Sequence, residues 1–293
     1  MDLHNFLLNQ HFERPAARPA YPLYVLGLTL ALLLPNQAIS ATLGEPPHGC
    51  AGKPGTPMYL VMALIDQTGS VTRHTSSHAM LQDLATLVQS LPAGFHLYIR
   101  FITADSYNER YMVYHATVPA VPAIPKLPDN PYNRQANKAY RKQLKLRRNI
   151  LRCARQARQA MQQELSALVA PASASKQTDL YGALIATDEL FAAYDKSLIK
   201  KKLLVIWSDL QHTRAGSLPR QLTGLRDTQT IVRTRWNNKG YKTARALKNN
   251  FNHLLEQRGL PTPQYLPMQQ TPFTTGLIRV GILDGFTHTT KEN

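Results

Sequence analysis

The polar residues of this chain that could do chemistry stand where its apolar runs end. The run 58–65 (MYLVMALI) leads into Asp66-Gln67-Thr68-Gly69-Ser70, and the run 203–208 (LLVIWS) leads into Asp209. Between them a helical pattern opens at Thr178-Asp179. In an open parallel sheet, ligands bind outside the carboxyl ends of the strands, so these three loops can share one crevice. Asp66, Asp209, Thr68, Ser70 and Thr178 would then offer two carboxylates and three hydroxyls, an oxygen set suited to a hard divalent cation.

The elements that must position them follow from the hydropathy pattern. Runs 58–65 and 203–208 are continuous and apolar, as in strands buried on both faces. Residues 76–90 carry an apolar stripe at helical spacing, and 95–102 and 111–118 read as strands, antiparallel across the intervening turn. Pro119, Pro122, Pro125, Pro128 and Pro131 recur every third residue, so 119–133 is an extended connector. A long helix over 134–169, a helix over 178–194, a strand over 229–235, a helix over 241–258 and a strand over 277–283 (LIRVGIL) complete the pattern. Residues 260–276, with four prolines, are expected to be irregular surface. The alternation is that of an α/β domain, doubly wound around a mostly parallel sheet.

The order Asp-x-Thr-x-Ser, a later Thr and a last Asp resembles the von Willebrand factor A (VWA) family and its metal-ion-dependent adhesion site. Thr68 stands where that motif more often has Ser and keeps the hydroxyl, and Leu210 stands where Gly is frequent. The resemblance spans about 57–286 and implies a VWA-like, Rossmann-like α/β fold. It implies Thr68 and Ser70 as direct ligands of Mg2+ or Mn2+, Thr178 as a ligand of the binding-competent state, and Asp66 with Asp209 as the charge-compensating pair. The open coordination position would take a carboxylate from a protein partner. On this reading the chain is a binding protein and not an enzyme.

Asp66-Gln-Thr-Gly-Ser70 is also close to the Asp-Lys-Thr-Gly-Thr of haloacid-dehalogenase-like phosphotransfer enzymes, where the Asp is the nucleophile. That chemistry needs a further acidic cluster, and after Asp209 no acid comes until Asp227. Gly52-Lys53 is followed by Pro54, which excludes a phosphate-cradling P-loop. No Gly-x-Ser-x-Gly and no His-Glu-x-x-His occurs.

Charge supplies a second theme. With 34 Lys plus Arg against 18 Asp plus Glu, the 293-residue chain carries +16, a field that favours acidic or polyanionic partners. Ten basic residues and no acid lie between Asn130 and Gln163. Arg141, Lys145, Arg148, Arg152 and Arg155 follow helical spacing and form a stripe for anionic lipid or another polyanion. No DNA- or RNA-reading motif accompanies it. A metal-independent basic adaptor is therefore a third reading of function.

Residues 23–34 (LYVLGLTLALLL) are uncharged, follow Arg14 and Arg18, and precede Pro35 and the small residues Ala38 to Ala41. As a helix they rise about 18 Å, short of the roughly 30 Å hydrocarbon core of a bilayer. The pattern predicts a signal peptide or N-terminal anchor over 1–41, a linker over 42–56, the domain over 57–286 and a tail over 287–293. Export to a periplasmic or secreted location follows, with membrane anchoring as the variant. Cys153 falls on the apolar stripe of the long helix with Ile150, Ala157, Met161, Leu165 and Leu168, and is expected as a buried thiol. Export would permit a bridge to Cys50.

Overall fold

The protein is described here by a computed structural model covering residues 58–66, 77–108, 112–167, 177–214, 221–234, 241–268 and 271–282. The chain divides into two units, 1–39 and 40–293, and all described residues belong to the second. The expected leader lies outside them. Six strands form one sheet: β1 (Met58–Asp66), β2 (Phe95–Ile102), β3 (Met112–Val118), β4 (Ile199–Trp207), β5 (Thr228–Thr234) and β6 (Gln264–Pro267). Five α-helices accompany them: α1 (Ser77–Ser90), α2 (Arg134–Ala167), α3 (Leu180–Ala192), α4 (Tyr241–Glu256) and α5 (Phe273–Arg279).

The strand order is β3-β2-β1-β4-β5-β6. All neighbours are parallel except β2 and β3, which pair antiparallel as the short turn between them requires. The strand order reverses between β1 and β4, which makes their carboxyl ends the switch point of a doubly wound sheet. The fold is thus the mostly parallel α/β class that the strand and helix rhythm predicts.

β1 explains its own position. From Tyr59 to Ile65 every side chain is buried, and alternate residues enter different cores. Val61, Ala63 and Ile65 pack with α1, α2 and α5, through Leu84, Leu87, Met161 and Leu277 among others. Leu60, Met62 and Leu64 pack with α3 and α4, through Leu184, Phe191, Phe251 and Leu255. A strand apolar on both faces can only sit between two helical layers.

Two expectations are corrected. The expected strand over 277–283 is not formed at 277–282: Phe273–Arg279 is helix α5, with Phe273, Leu277 and Val280 buried at helical spacing and Ile278 exposed, and residue 283 lies outside the described residues. Gly276 lets this helix press onto the sheet, since a Cβ there would lie 2.1 Å from Leu266 Cδ1. The sixth strand lies instead inside the proline-containing stretch 260–276, whose composition reads as irregular. Its four residues form an edge, where the missing N–H of Pro267 is tolerated. Cys153 is the second correction, because it is disulfide-bonded rather than a free thiol. The chain holds one other cysteine, Cys50, outside the described residues.

Candidate metal centre at the carboxyl ends of β1 and β4

Ile65 pairs with Trp207, so Asp66 and Ser208 face each other one step further along two adjacent parallel strands. The Ser208 hydroxyl donates to Asp66 Oδ2 at 2.7 Å and accepts from the Leu210 amide at 3.0 Å. Asp209 Oδ1 accepts from the Gln211 amide at 2.9 Å, which closes a tight turn immediately after β4. Leu210 lies in the left-handed region at φ 64°, a conformation that glycine adopts more readily. Its side chain is buried among the α3 and α4 core residues, and that burial accounts for a leucine where the backbone would favour glycine.

Thr178 is brought to the same place by backbone pairing. Its N–H donates to Thr213 Oγ1 at 2.8 Å, and its carbonyl accepts from the amides of Thr213 and Arg214 at 3.1 and 3.4 Å. The Asp179 amide donates to the Thr103 carbonyl, just beyond β2, at 2.8 Å. The loop opening α3 is therefore stitched to the loops after β4 and after β2. Asp66, Thr178 and Asp209 are all buried, at 3%, 2% and 6% exposure.

Residues that the spacing did not single out hold this arrangement. Asp179 caps α3, accepting from the Gly182 amide at 2.9 Å, and its other oxygen receives the Arg214 guanidinium at 3.1 Å. Gly182 must lack a side chain, since a Cβ would meet Asp179 Oδ2 at 2.1 Å and the Tyr107 amide nitrogen at 2.8 Å. Arg214 also bonds Asp105, and the Arg214 hydrogen bond draws the Asp105 carboxyl below its usual range. Tyr181 and His212 stack with centroids 3.7 Å apart, and burial lowers the His212 pKa. The signal for Asp179 was available: a carboxylate three residues before Gly182 at a helix start is an N-cap pattern.

Of the five residues predicted to hold a cation, Asp66 and Asp209 stand at the carboxyl ends of β1 and β4, and Thr178 lies on the loop bonded to Thr213 and Arg214 beyond β4. Thr68 and Ser70 lie outside the described residues. Among the described residues no three His, Cys, Asp or Glu side chains group to hold a metal. The arrangement is a different kind, with two buried carboxylates and a threonine loop, and its all-oxygen chemistry fits a hard divalent cation. The stripe residues Arg141, Lys145, Arg148, Arg152 and Arg155 are all exposed on α2, and no helix among the described residues is long and apolar enough to cross a membrane.

No family model and no curated protein matches the sequence. Several solved structures do resemble the chain. Proximal thread matrix protein 1 from the mussel byssus, solved with a zinc-occupied metal-ion-dependent adhesion site, is 12% identical at a TM-score of 0.41, covering 78% of this chain and 47% of that one. A von Willebrand factor type A protein from Catenulispora acidiphila is 12% identical at 0.39, covering 78% and 42%. The pilus adhesin SpaC from Lactobacillus rhamnosus GG, in its open conformation, is 11% identical at 0.42, covering 80% and 31%. The matched part is less than half the length of each of these chains. The fold class itself rests on the strand order and the two helical layers.

Proposed function

We propose that this chain is an exported VWA-type binding protein that engages an acidic residue of a protein partner through Mg2+ or Mn2+. Asp66, Thr68, Ser70, Thr178 and Asp209 would hold the ion, which when bound supplies an open coordination position for the partner's carboxylate. The observation that carries this reading is the placement of buried Asp66 and Asp209 at the ends of adjacent parallel strands where the strand order reverses. The chain's own residues do the positioning. Ser208 orients Asp66, the turn at Leu210 orients Asp209, and the pairing of Thr178 with Thr213 fixes the threonine loop.

Phosphotransfer is disfavoured by the location of the next acid. Asp227 immediately precedes β5 and so stands at the opposite end of the sheet from Asp66, out of reach of a shared metal. Disulfide bonding at Cys153 fits an oxidising compartment and supports export to the periplasm or beyond.

Calorimetry of the full chain with Mn2+ and Mg2+ tests the reading. One ion per chain is expected, with a melting temperature that rises with metal concentration, and both effects lost in Asp66→Ala. No heat and no thermal shift at millimolar metal would refute it. Covalent phosphorylation of Asp66 by a phosphoryl donor would establish the enzymatic alternative instead.

A further inference from the structure

The end of the sheet opposite the metal centre has its own character. β3 runs antiparallel to β2, and Val118 pairs with Phe95, so the chain leaves the sheet at the amino ends of the parallel strands. The proline connector and the first half of α2 follow from there. Asn133 caps the helix, accepting from the Ala136 amide at 3.0 Å. The Arg158 guanidinium donates to the carbonyls of Val88, Gln89 and Leu91 at the end of α1 and lies over the ring of Phe95, which marks where α2 crosses the rim. Ile150 is the first buried residue of α2, so the sixteen positions from Arg134 to Asn149 extend about 24 Å without joining the core.

This arm combines charge with exposed apolar side chains. Arg134, Lys138, Arg141, Lys142, Lys145 and Arg148 are all exposed. Ile124, Leu127, Tyr132 and Leu146 are 53%, 74%, 90% and 52% exposed, and Leu198 is exposed just before β4. Leu198 is at the same pole, flanked by exposed Lys196, Lys200 and Lys201. These are five of the six large apolar residues exposed among the described residues, and they lie on the connector, the free half of α2 and the approach to β4. The acids there, among them Asp129, Asp188, Asp195 and Asp227, are outnumbered.

We propose that this pole docks on an anionic lipid bilayer and points the metal centre away from it. A polyanion such as nucleic acid would reward the charges but not the exposed Leu127, Ile124 and Tyr132, whereas a membrane interface rewards both. The chain enters β1 at this same pole, with Met58 paired to Ile199, 24 positions in sequence after Leu34. The proposal goes beyond the metal-dependent reading and needs no metal, which separates the two tests.

The experiment is co-sedimentation of the full chain, in EDTA, with vesicles of neutral phosphatidylcholine and with vesicles containing phosphatidylglycerol. Neutral vesicles report what the apolar side chains, the N-terminal run included, contribute without the charge. The expected result is at least about tenfold tighter binding to the anionic vesicles, falling with salt, and lost when Arg141, Lys145, Arg148 and Lys142 are replaced with Gln. In Tyr132→Trp, bromine-labelled lipid should quench the new indole fluorescence. Equal binding to both vesicles, an unaffected Gln variant or an unquenched indole signal in Tyr132→Trp would each overturn the proposal. So would tighter binding to a DNA duplex than to anionic vesicles at equal salt.

Discussion

Ser208 Oγ donates to Asp66 Oδ2 at 2.7 Å across the β1–β4 boundary while accepting the Leu210 amide, so one hydroxyl links the two strand ends that define the crevice. A hydroxyl in that position aims the carboxylate and fixes the turn that carries Asp209. Partners of this outer kind typically contribute about 10- to 100-fold to metal affinity. Ser208→Ala should fold, lose about 1–3 kcal/mol of stability from the unsatisfied groups, and weaken Mn2+ binding by that factor. Calorimetry on the purified variant measures it, and a wild-type dissociation constant would show that Ser208 has no part in the site.

Leu210 poses a question of magnitude. Moving it to glycine relieves a left-handed conformation that costs roughly 1–2 kcal/mol for a residue with a Cβ. The same change removes a buried leucine, a loss of roughly 2–5 kcal/mol. Burial is the larger effect, so Leu210→Gly should be destabilising, by up to about 4 kcal/mol, in urea unfolding. A more stable glycine variant would mean that the loop, and not the core contact, governs this position.

The strand ends were legible because central strands are apolar on both faces and stop at polar residues. Asp66 and Asp209 could therefore be placed from hydropathy alone, and Asp66 falls at the last position of β1. β4 begins earlier than its apolar run, at Ile199, because Lys200 and Lys201 lie at the exposed start of the strand and Lys202 reaches the Gly224 carbonyl. The C-terminal strand was misplaced for a physical reason: LIRVGIL has strand-like content, but Phe273 upstream completes a helical face that a window starting at Leu277 misses. The contacts of Thr213 and Arg214 with the Thr178 loop join residues about 35 apart, and no local pattern encodes them. Disulfide bonding at Cys153 was likewise hidden, since a half-buried helix position suits a thiol as well as a bridge.

A histidine pair on the sheet edge should make stability depend on pH. His96 and His115 lie on adjacent strands with Nδ1 and Nε2 3.4 Å apart, and His115 stacks on Tyr98 at 4.2 Å between centroids. Burial first, and the neighbouring His115 second, lower the His96 pKa to about 4, and burial lowers that of His115. In the unfolded chain both titrate near 6.5, so below that pH the unfolded state binds more protons. Their contribution is then complete above about pH 6.5 and is lost as the pH falls toward 4. Urea midpoints measured from pH 7.5 to 4 should fall in the wild type and fall less in His96→Gln. Parallel curves would show that the pair does not govern the acid limb.

Arg233 and Asp83 form a buried ion pair that fastens α1 to β5. Their contact is bidentate at 2.7 and 2.8 Å, Trp207 Nε1 reaches the same carboxylate at 3.3 Å, and Arg233 also donates to the Thr271 carbonyl at 2.8 Å. The Arg233 carbonyl in turn accepts from the Ser208 amide at 3.4 Å, so the pair adjoins the turn that carries Asp209. Removing one member leaves an uncompensated buried charge, which costs about 3–5 kcal/mol, whereas an apolar replacement of both can be close to neutral. Asp83→Asn and Arg233→Met should each lower the urea midpoint strongly, and the double variant should be less destabilised than the sum of the two. Simple additivity would mean that the two side chains act independently and that α1 is held to β5 by its apolar contacts alone.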